Sequence, residues 1–249
     1  MIPLFIFFFG LAIGSFLNVV ISRLDGQRSF WQGRSACPNC GKGIYWYDNI
    51  PLISFILLSG KCRQCHKKIS FQYPIVELVT ALIFLWQYFL FGLSFRFFAF
   101  VILSSFLVVI FVYDLKKFLI LDRVSIPAMF LALIFNLALG VSLFDMFLGA
   151  LIGGGFFAAQ FFISRGRWVG DGDIRLGILM GLILGWKFLL VALFMAYLAG
   201  ALMGIILIAL NKKKMSSEIP FGPFLTASTF VVMTHGKQIL SWYLGLFYF

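Results

Sequence analysis

Four aspartates stand in two short polar stretches of an otherwise apolar chain. Asp114 and Asp122 lie in VIFVYDLKKFLILDRVSIP (109–127), and Asp171 and Asp173 in GRWVGDGDIRLG (166–177). Carboxylates at helix ends often do nothing more than cap them, and Asp173 at a helix N-terminus suits the helix dipole. Two acidic loops together permit more. One aspartate from each can form a pair that shares a proton, because like charges in contact cannot both ionise. The ionised member then activates water as general base, while the protonated member donates to a carbonyl or leaving group. That is the chemistry of an aspartyl protease. Gly170 and Gly172 beside these acids permit tight backbone geometry and close approach of a peptide.

A second cluster carries metal chemistry. Cys37-Pro38-Asn39-Cys40 and Cys62-Arg63-Gln64-Cys65 make two C-x2-C turns separated by 21 residues. Four thiolates at this spacing form a tetrahedral, structural zinc site with no open position. The competing readings are two disulfides or free thiols, and a reducing cytoplasmic location argues against disulfides. His66, beside Cys65, reads as a surface residue rather than a fifth ligand.

The elements that position these groups are membrane helices. The chain of 249 residues is 62% hydrophobic and 12% charged, against about 25% charged in a soluble domain. Spanning the hydrocarbon takes roughly 20 apolar residues. Helices are expected near 2–22, 75–94, 97–113, 124–143, 145–164, 174–187, 188–210 and 222–248. The segment 2–22 lacks a preceding basic region, and GSFLNVVISRL (14–24) lacks a cleavage site, so it reads as a first transmembrane helix. The expected fold is an all-α polytopic membrane protein of about eight spans. Residues 1–22 form the first helix, 23–74 a cytoplasmic zinc-binding loop, and 75–249 a transmembrane core.

The net charge is +11, but no aromatic-interleaved basic stripe suggests nucleic acid. The bilayer is the expected partner. With the N-terminus outside, 17 of the 20 basic residues fall on the cytoplasmic side, and only Arg96, Lys187 and Lys237 fall outside. Lys212, Lys213 and Lys214 are inside only if 174–210 crosses twice. The C-terminus is then also outside. Asn18 reads as interhelical glue, and Gly14, Gly153, Gly154, Gly155 and AGALMG (199–204) as close-packing positions. A transporter is a rival reading because glycine-broken helices with acids suit one, but no internal repeat stands out. A zinc-bearing membrane scaffold would explain the cysteines and not the acids.

These motifs together resemble the prepilin peptidases, the type IV leader peptidases of the G-x-G-D aspartyl class. The resemblance rests on GSFLNVVISRL (14–24), CPNC (37–40), YDNIPLISFILLSGKCRQC (47–65), ISFQYPIVELVTALIF (69–84), YDLKKFLILDRVSIP (113–127), GDGDIRLG (170–177) and IPFGPFL (219–225). It implies catalytic acids at Asp114 and Asp173, with Asp171 at the variable position and Asp122 non-catalytic. Leu121 and Gln72 depart from the family's usual proline and basic residue. The compact, phenylalanine-rich form is similar to the Gram-positive competence type. The resemblance further implies a multi-pass protein of the bacterial inner or plasma membrane. Its substrates would be prepilin or pseudopilin precursors, cleaved after Gly at the cytoplasmic face. Many members also methylate the new N-terminal amine with S-adenosylmethionine, and Glu77 in YPIVE and the cysteine loop lie in the region linked to that activity. The residues themselves offer a simpler role for Glu77, as partner of a nearby Arg or Lys.

Overall fold

The computed structural model describes residues 1–24, 35–210 and 219–246. Arg28, Arg34 and Lys212–Lys214, which enter the charge argument, and the C-terminal Phe249 lie outside them. The described residues form eight α-helices: α1 (Ile2–Arg23), α2 (Ile53–Leu57), α3 (Gln72–Phe91), α4 (Phe95–Lys117), α5 (Asp122–Ala138), α6 (Leu143–Ser164), α7 (Asp171–Ala209) and α8 (Gly222–Gly245). Among them there is no β-strand, only isolated bridges at Ala36–Gly43 and Lys61–Lys68. Five helices, α1, α3, α4, α6 and α7, are long and apolar enough to cross a membrane. The 17-residue α5 is short for that role, and α8 is diluted by Thr226, Ser228, Thr229, Thr234, His235 and Lys237. The chain packs as two units, Met1–Val101 and Ile102–Phe249.

The first unit is built on an antiparallel pair, α1 against α3. A Cβ on Gly10 would stand 2.6 Å from the Ala81 Cα, and one on Gly14 2.6 Å from the Glu77 Cα. One helical turn further on, Asn18 Nδ2 donates to the Tyr73 carbonyl at 3.0 Å. Small residues every fourth position let the backbones touch, which is how apolar helices associate without a hydrophobic driving force. Asn18 also accepts from Gln72 Nε2 at 3.2 Å, so its interhelical role holds.

The cysteine loop carries a repeat that was not apparent from the sequence. Cys37 and Cys62 donate their amides to the Lys42 and Lys67 carbonyls, and the Gly41 and His66 amides return to the Cys37 and Cys62 carbonyls, all at 2.9 Å. The two turns make the same backbone bonds and bridge at an offset of 25, ACPNCGKGI matching KCRQCHKKI. His66 takes the left-handed position that Gly41 fills in its twin, at φ 55° against 70°.

The second unit centres on α6 and α7. Gly149 and Gly153 of α6 meet Gly181 and Gly177 of α7 backbone to backbone, with Asp145 against Gly185 at the end of the row. Gly185 has φ 69° and ψ 170°, a region essentially reserved for glycine. Beyond it, Trp186 and Leu189 return along Gly149 and Gly153, and Tyr197 reaches Gln160. The two arms of α7 therefore run in opposite directions along α6. The expected break near residue 187 is real but falls at Gly185, because a backbone reversal needs the residue without a Cβ rather than the nearest charge. Asn136 of α5 donates to the Leu182 and Ile183 carbonyls at 2.7 and 2.9 Å. Trp186 Nε1 donates to Asp145 at 3.1 Å. These bonds supply partners where the helical ladder is interrupted, as an apolar surrounding requires. Gly154 packs on Ile178, but Gly155 and Gly204 meet nothing among the described residues, so no close packing is seen at those two.

Candidate active site

The structure sorts the four aspartates into two pairs. Asp114 and Asp173 are 5% and 9% exposed, whereas the Asp171 and Asp122 side chains are 67% and 50% exposed. Asp114 sits in the last turn of α4, within the helix rather than at its close. Asp173 occupies the third position of α7, so the helix begins at Asp171, three residues before the expected start. The extra turn is explained by its cap. The Gly170 amide donates to Asp173 Oδ2 at 3.0 Å, and the Asp173 amide bonds back to the Gly170 carbonyl at 3.2 Å. A carboxylate in the first turn satisfies an orphan amide and suits the dipole. The capping role of Asp173 is thus real, and it fixes the side chain. Among the described residues Gly170 is the only donor to it.

Asp114 accepts a hydrogen bond from the Gly222 amide at the start of α8. A Cβ on Gly222 would stand 2.6 Å from Asp114 Oδ2, so glycine there is a steric requirement. Asp114 and Asp173 lie within electrostatic range of each other. Gly172 allows this approach, since its Cβ would stand 2.9 Å from Ile120 in the turn after α4. Tyr197 lies within electrostatic range of Asp173. Its hydroxyl donates to Gln160 at 2.9 Å, and its ring packs on Phe221 at 4.8 Å. Gly222, Phe221 and Tyr197 were missed as site residues. IPFGPFL was a signal for the first two, but a motif without a charged group suggested no chemistry. Tyr197, in the middle of an apolar helix, gave none.

In the first unit, the four Sγ atoms of Cys37, Cys40, Cys62 and Cys65 lie within 4.8 Å of one another. Cys37 and Cys65 are 3.8 Å apart, the spacing of about 3.8 Å that tetrahedral zinc–sulfur bonds of about 2.3 Å demand. The Cys40 backbone amide donates toward the Cys37 sulfur and outweighs burial, drawing that thiol down to about 7. His66 is exposed and outside the cluster.

Glu77 is buried, and among the described residues its partner is not a basic one. Its Oε2 accepts from the Leu52 amide at 2.9 Å, and it bonds the Ser15 side chain. The sequence suggested a cation because buried carboxylates usually need one. Here a backbone amide and a hydroxyl suffice. Leu52 holds φ 59° and ψ −49°, with Ile53 N–H returning to the Pro51 carbonyl at 2.6 Å. That is a strained γ-turn, which persists only when its surroundings hold it.

Residues 8–91 match the family described as the bacterial peptidase A24 N-terminal domain, and residues 101–205 the type IV leader peptidase family. The chain is 36% identical to a prepilin leader peptidase/N-methyltransferase of Aeromonas hydrophila, covering 97% of this chain and 93% of that one. It is 35% identical to a protein so named in Bacillus subtilis (strain 168), covering 97% of each. To that of Pseudomonas aeruginosa it is 32% identical, over 94% of this chain and 91% of the other. No solved structure matches.

Proposed function

This chain belongs to the type IV leader peptidase family, and from that premise we propose that it cleaves prepilin or pseudopilin leaders with Asp114 and Asp173 as the catalytic acids. The observation that carries the assignment is the sorting of four aspartates into a buried, mutually interacting pair and an exposed, ion-paired one. One carboxylate of the pair, ionised, takes a proton from water. The other, protonated, donates to the scissile carbonyl after the substrate's Gly. The hydroxide oxygen bonds to the carbonyl carbon, and the tetrahedral adduct collapses as the C–N bond breaks. The departing amine takes up the proton that the base took from water, and the hydroxyl formed on the carbonyl oxygen returns its proton to the other acid. Gly222 and Gly170 hold one oxygen of each acid through backbone amides, which orients the carboxylates without adding charge.

The released amine is the acceptor in the second activity, N-methylation, that the relatives' name carries. S-adenosylmethionine supplies the methyl group when bound. The Glu77 carboxylate is committed to Leu52 and Ser15, so it fits a role in holding the cysteine loop better than one as a cofactor ligand, and no methyl-transfer step runs through it. The four thiolates fit one zinc ion, whose contribution is folding energy for a loop with little core.

The protein is read as a multi-pass component of the bacterial inner or plasma membrane. The reversal at Gly185 supports two crossings by α7, and α5 and α8 complete the count near eight. The charge distribution supports a cytoplasmic cysteine loop. The deciding experiment is mass spectrometry of a prepilin incubated, in the presence of S-adenosylmethionine, with wild-type enzyme, Asp114→Asn and Asp173→Asn. Wild type should release the leader and add a methyl group to the mature N-terminus. Leader release by either variant at the wild-type rate rejects the acid assignment.

A further inference from the structure

Arg175 is placed between the two exposed aspartates. Its Nε bonds Asp122 Oδ1 at 2.9 Å, and its Nη2 bonds Asp171 Oδ2 at 3.0 Å. Each of these carboxylates is near in sequence to one buried acid. Asp171 precedes Asp173 by two residues, and Asp122 follows Asp114 by eight. Arg175 itself stands two residues after Asp173. One guanidinium therefore joins the turn that leaves Asp114 to the helix start that presents Asp173. Ile120, in that same turn, lies against Gly172, so the two segments are in contact where the cation bridges them. At the far end of α5, Asn136 bonds the Leu182 and Ile183 carbonyls. α5 is thus tied to the first arm of α7 at both ends by polar groups.

We propose that Arg175 is a positioning residue, which clasps the α4–α5 turn to the α7 N-terminus through Asp122 and Asp171 and so fixes the separation of Asp114 and Asp173. The proposal rests on the reading of Asp114 and Asp173 as the acid pair. Arg suits the task because its planar fork addresses two carboxylates at fixed angles, which the point charge of lysine does not. The clasp also balances the negative charge of Asp171, which lies within electrostatic range of Asp173. The three side chains are 35%, 50% and 67% exposed. Exposed ion pairs contribute little to stability, so the clasp acts on geometry more than on folding. Geometry is where small errors matter, since a misplacement of about 1 Å lowers a catalysed rate about a hundredfold.

The test is steady-state cleavage of a prepilin by the full-length enzyme in detergent, with the thermal midpoint measured on the same samples. Arg175→Ala should lower kcat about tenfold to a hundredfold, with KM within about twofold and an unchanged midpoint. Arg175→Lys should recover part of the loss, because charge returns without the fork. Asp122→Asn and Asp171→Asn should each lose little, since one arm of the clasp remains. The double variant should reproduce the Arg175→Ala loss, and adding Arg175→Ala to it should change nothing further, the signature of residues that act as one unit. Should Arg175→Ala not fold, the Asp122→Asn/Asp171→Asn double variant carries the test alone. A raised KM with kcat intact would make Arg175 a substrate contact and overturn the proposal. So would wild-type kcat in both Arg175→Ala and the double variant. Failure of the underlying reading is separate, because it shows as cleavage by Asp114→Asn or Asp173→Asn.

Discussion

At the residue scale, the same side chain serves two purposes. Asp173 caps α7 through Gly170 and is half of a buried acid pair, so the capping and catalytic readings do not compete. Asparagine at 173 or 114 keeps the size and an acceptor oxygen but cannot transfer the proton. Each variant should insert and fold while losing about a hundredfold or more in kcat, measured by leader release. Asp171→Asn and Asp122→Asn should keep most activity. Gly222 gives a steric prediction. Gly222→Ala places a methyl 2.6 Å from Asp114 Oδ2 and must displace the carboxylate. Cleavage should fall at least about tenfold, with KM for the prepilin little changed.

At the element scale, the fold depends on glycine rows and on one reversal. The rows Gly10–Gly14 in the first unit and Gly149–Gly153 against Gly177–Gly181 in the second place helix backbones in contact. Gly185 then turns α7 back along α6. Alanine at 185 meets no neighbour closer than 3.7 Å, so space is not the obstacle. The obstacle is φ 69° with ψ 170°, which costs a residue bearing a Cβ about 1–3 kcal/mol. Gly185→Ala should lower the thermal midpoint in detergent, and Asn136→Ala should also lower it, through a loss of about 1 kcal/mol of stability, by removing the side-chain donor to the Leu182 and Ile183 carbonyls. Equal stability of Gly185→Ala and wild type would contradict the reversal.

At the scale of the whole molecule, the cysteine loop and the orientation of the chain are the testable properties. Purified protein should contain about one zinc per chain. Cys62→Ser, or strong chelation, should open residues 35–70 to limited proteolysis while the helical signal in circular dichroism stays near that of the holo form. Absence of metal, with all four thiols alkylated in the folded protein, would refute the site. For topology, a membrane-impermeant thiol reagent applied to intact cells should label Arg96→Cys and miss Asp48→Cys. The reverse pattern would invert the membrane orientation.

Much of this was legible in the order of residues because it depends on local chemistry. The two C-x2-C turns and the apolar spans each rest on short stretches whose spacing carries the information, whereas the preference for Asp114 and Asp173 over their neighbours came from the family resemblance. The lysines at 212–214 also favoured two helices over 174–210, with the break two residues later than the one at Gly185. What the sequence did not contain were the pairings between segments. The 25-residue repeat of the cysteine turns lies in backbone bonds shared by ACPNCGKGI and KCRQCHKKI, which have only Cys, Lys and Ile positions in common. Glu77 in the sequence is a carboxylate awaiting a cation; in the fold it is met by the Leu52 amide, 25 residues earlier. Gly222 and Arg175 have no chemistry as isolated letters. They acquire it because α8 and the α4–α5 turn converge on the acids, and convergence is set by which helix faces are small enough to touch. Local composition decides which groups are present, whereas backbone proximity, a sum over many distant contacts, decides which of them meet.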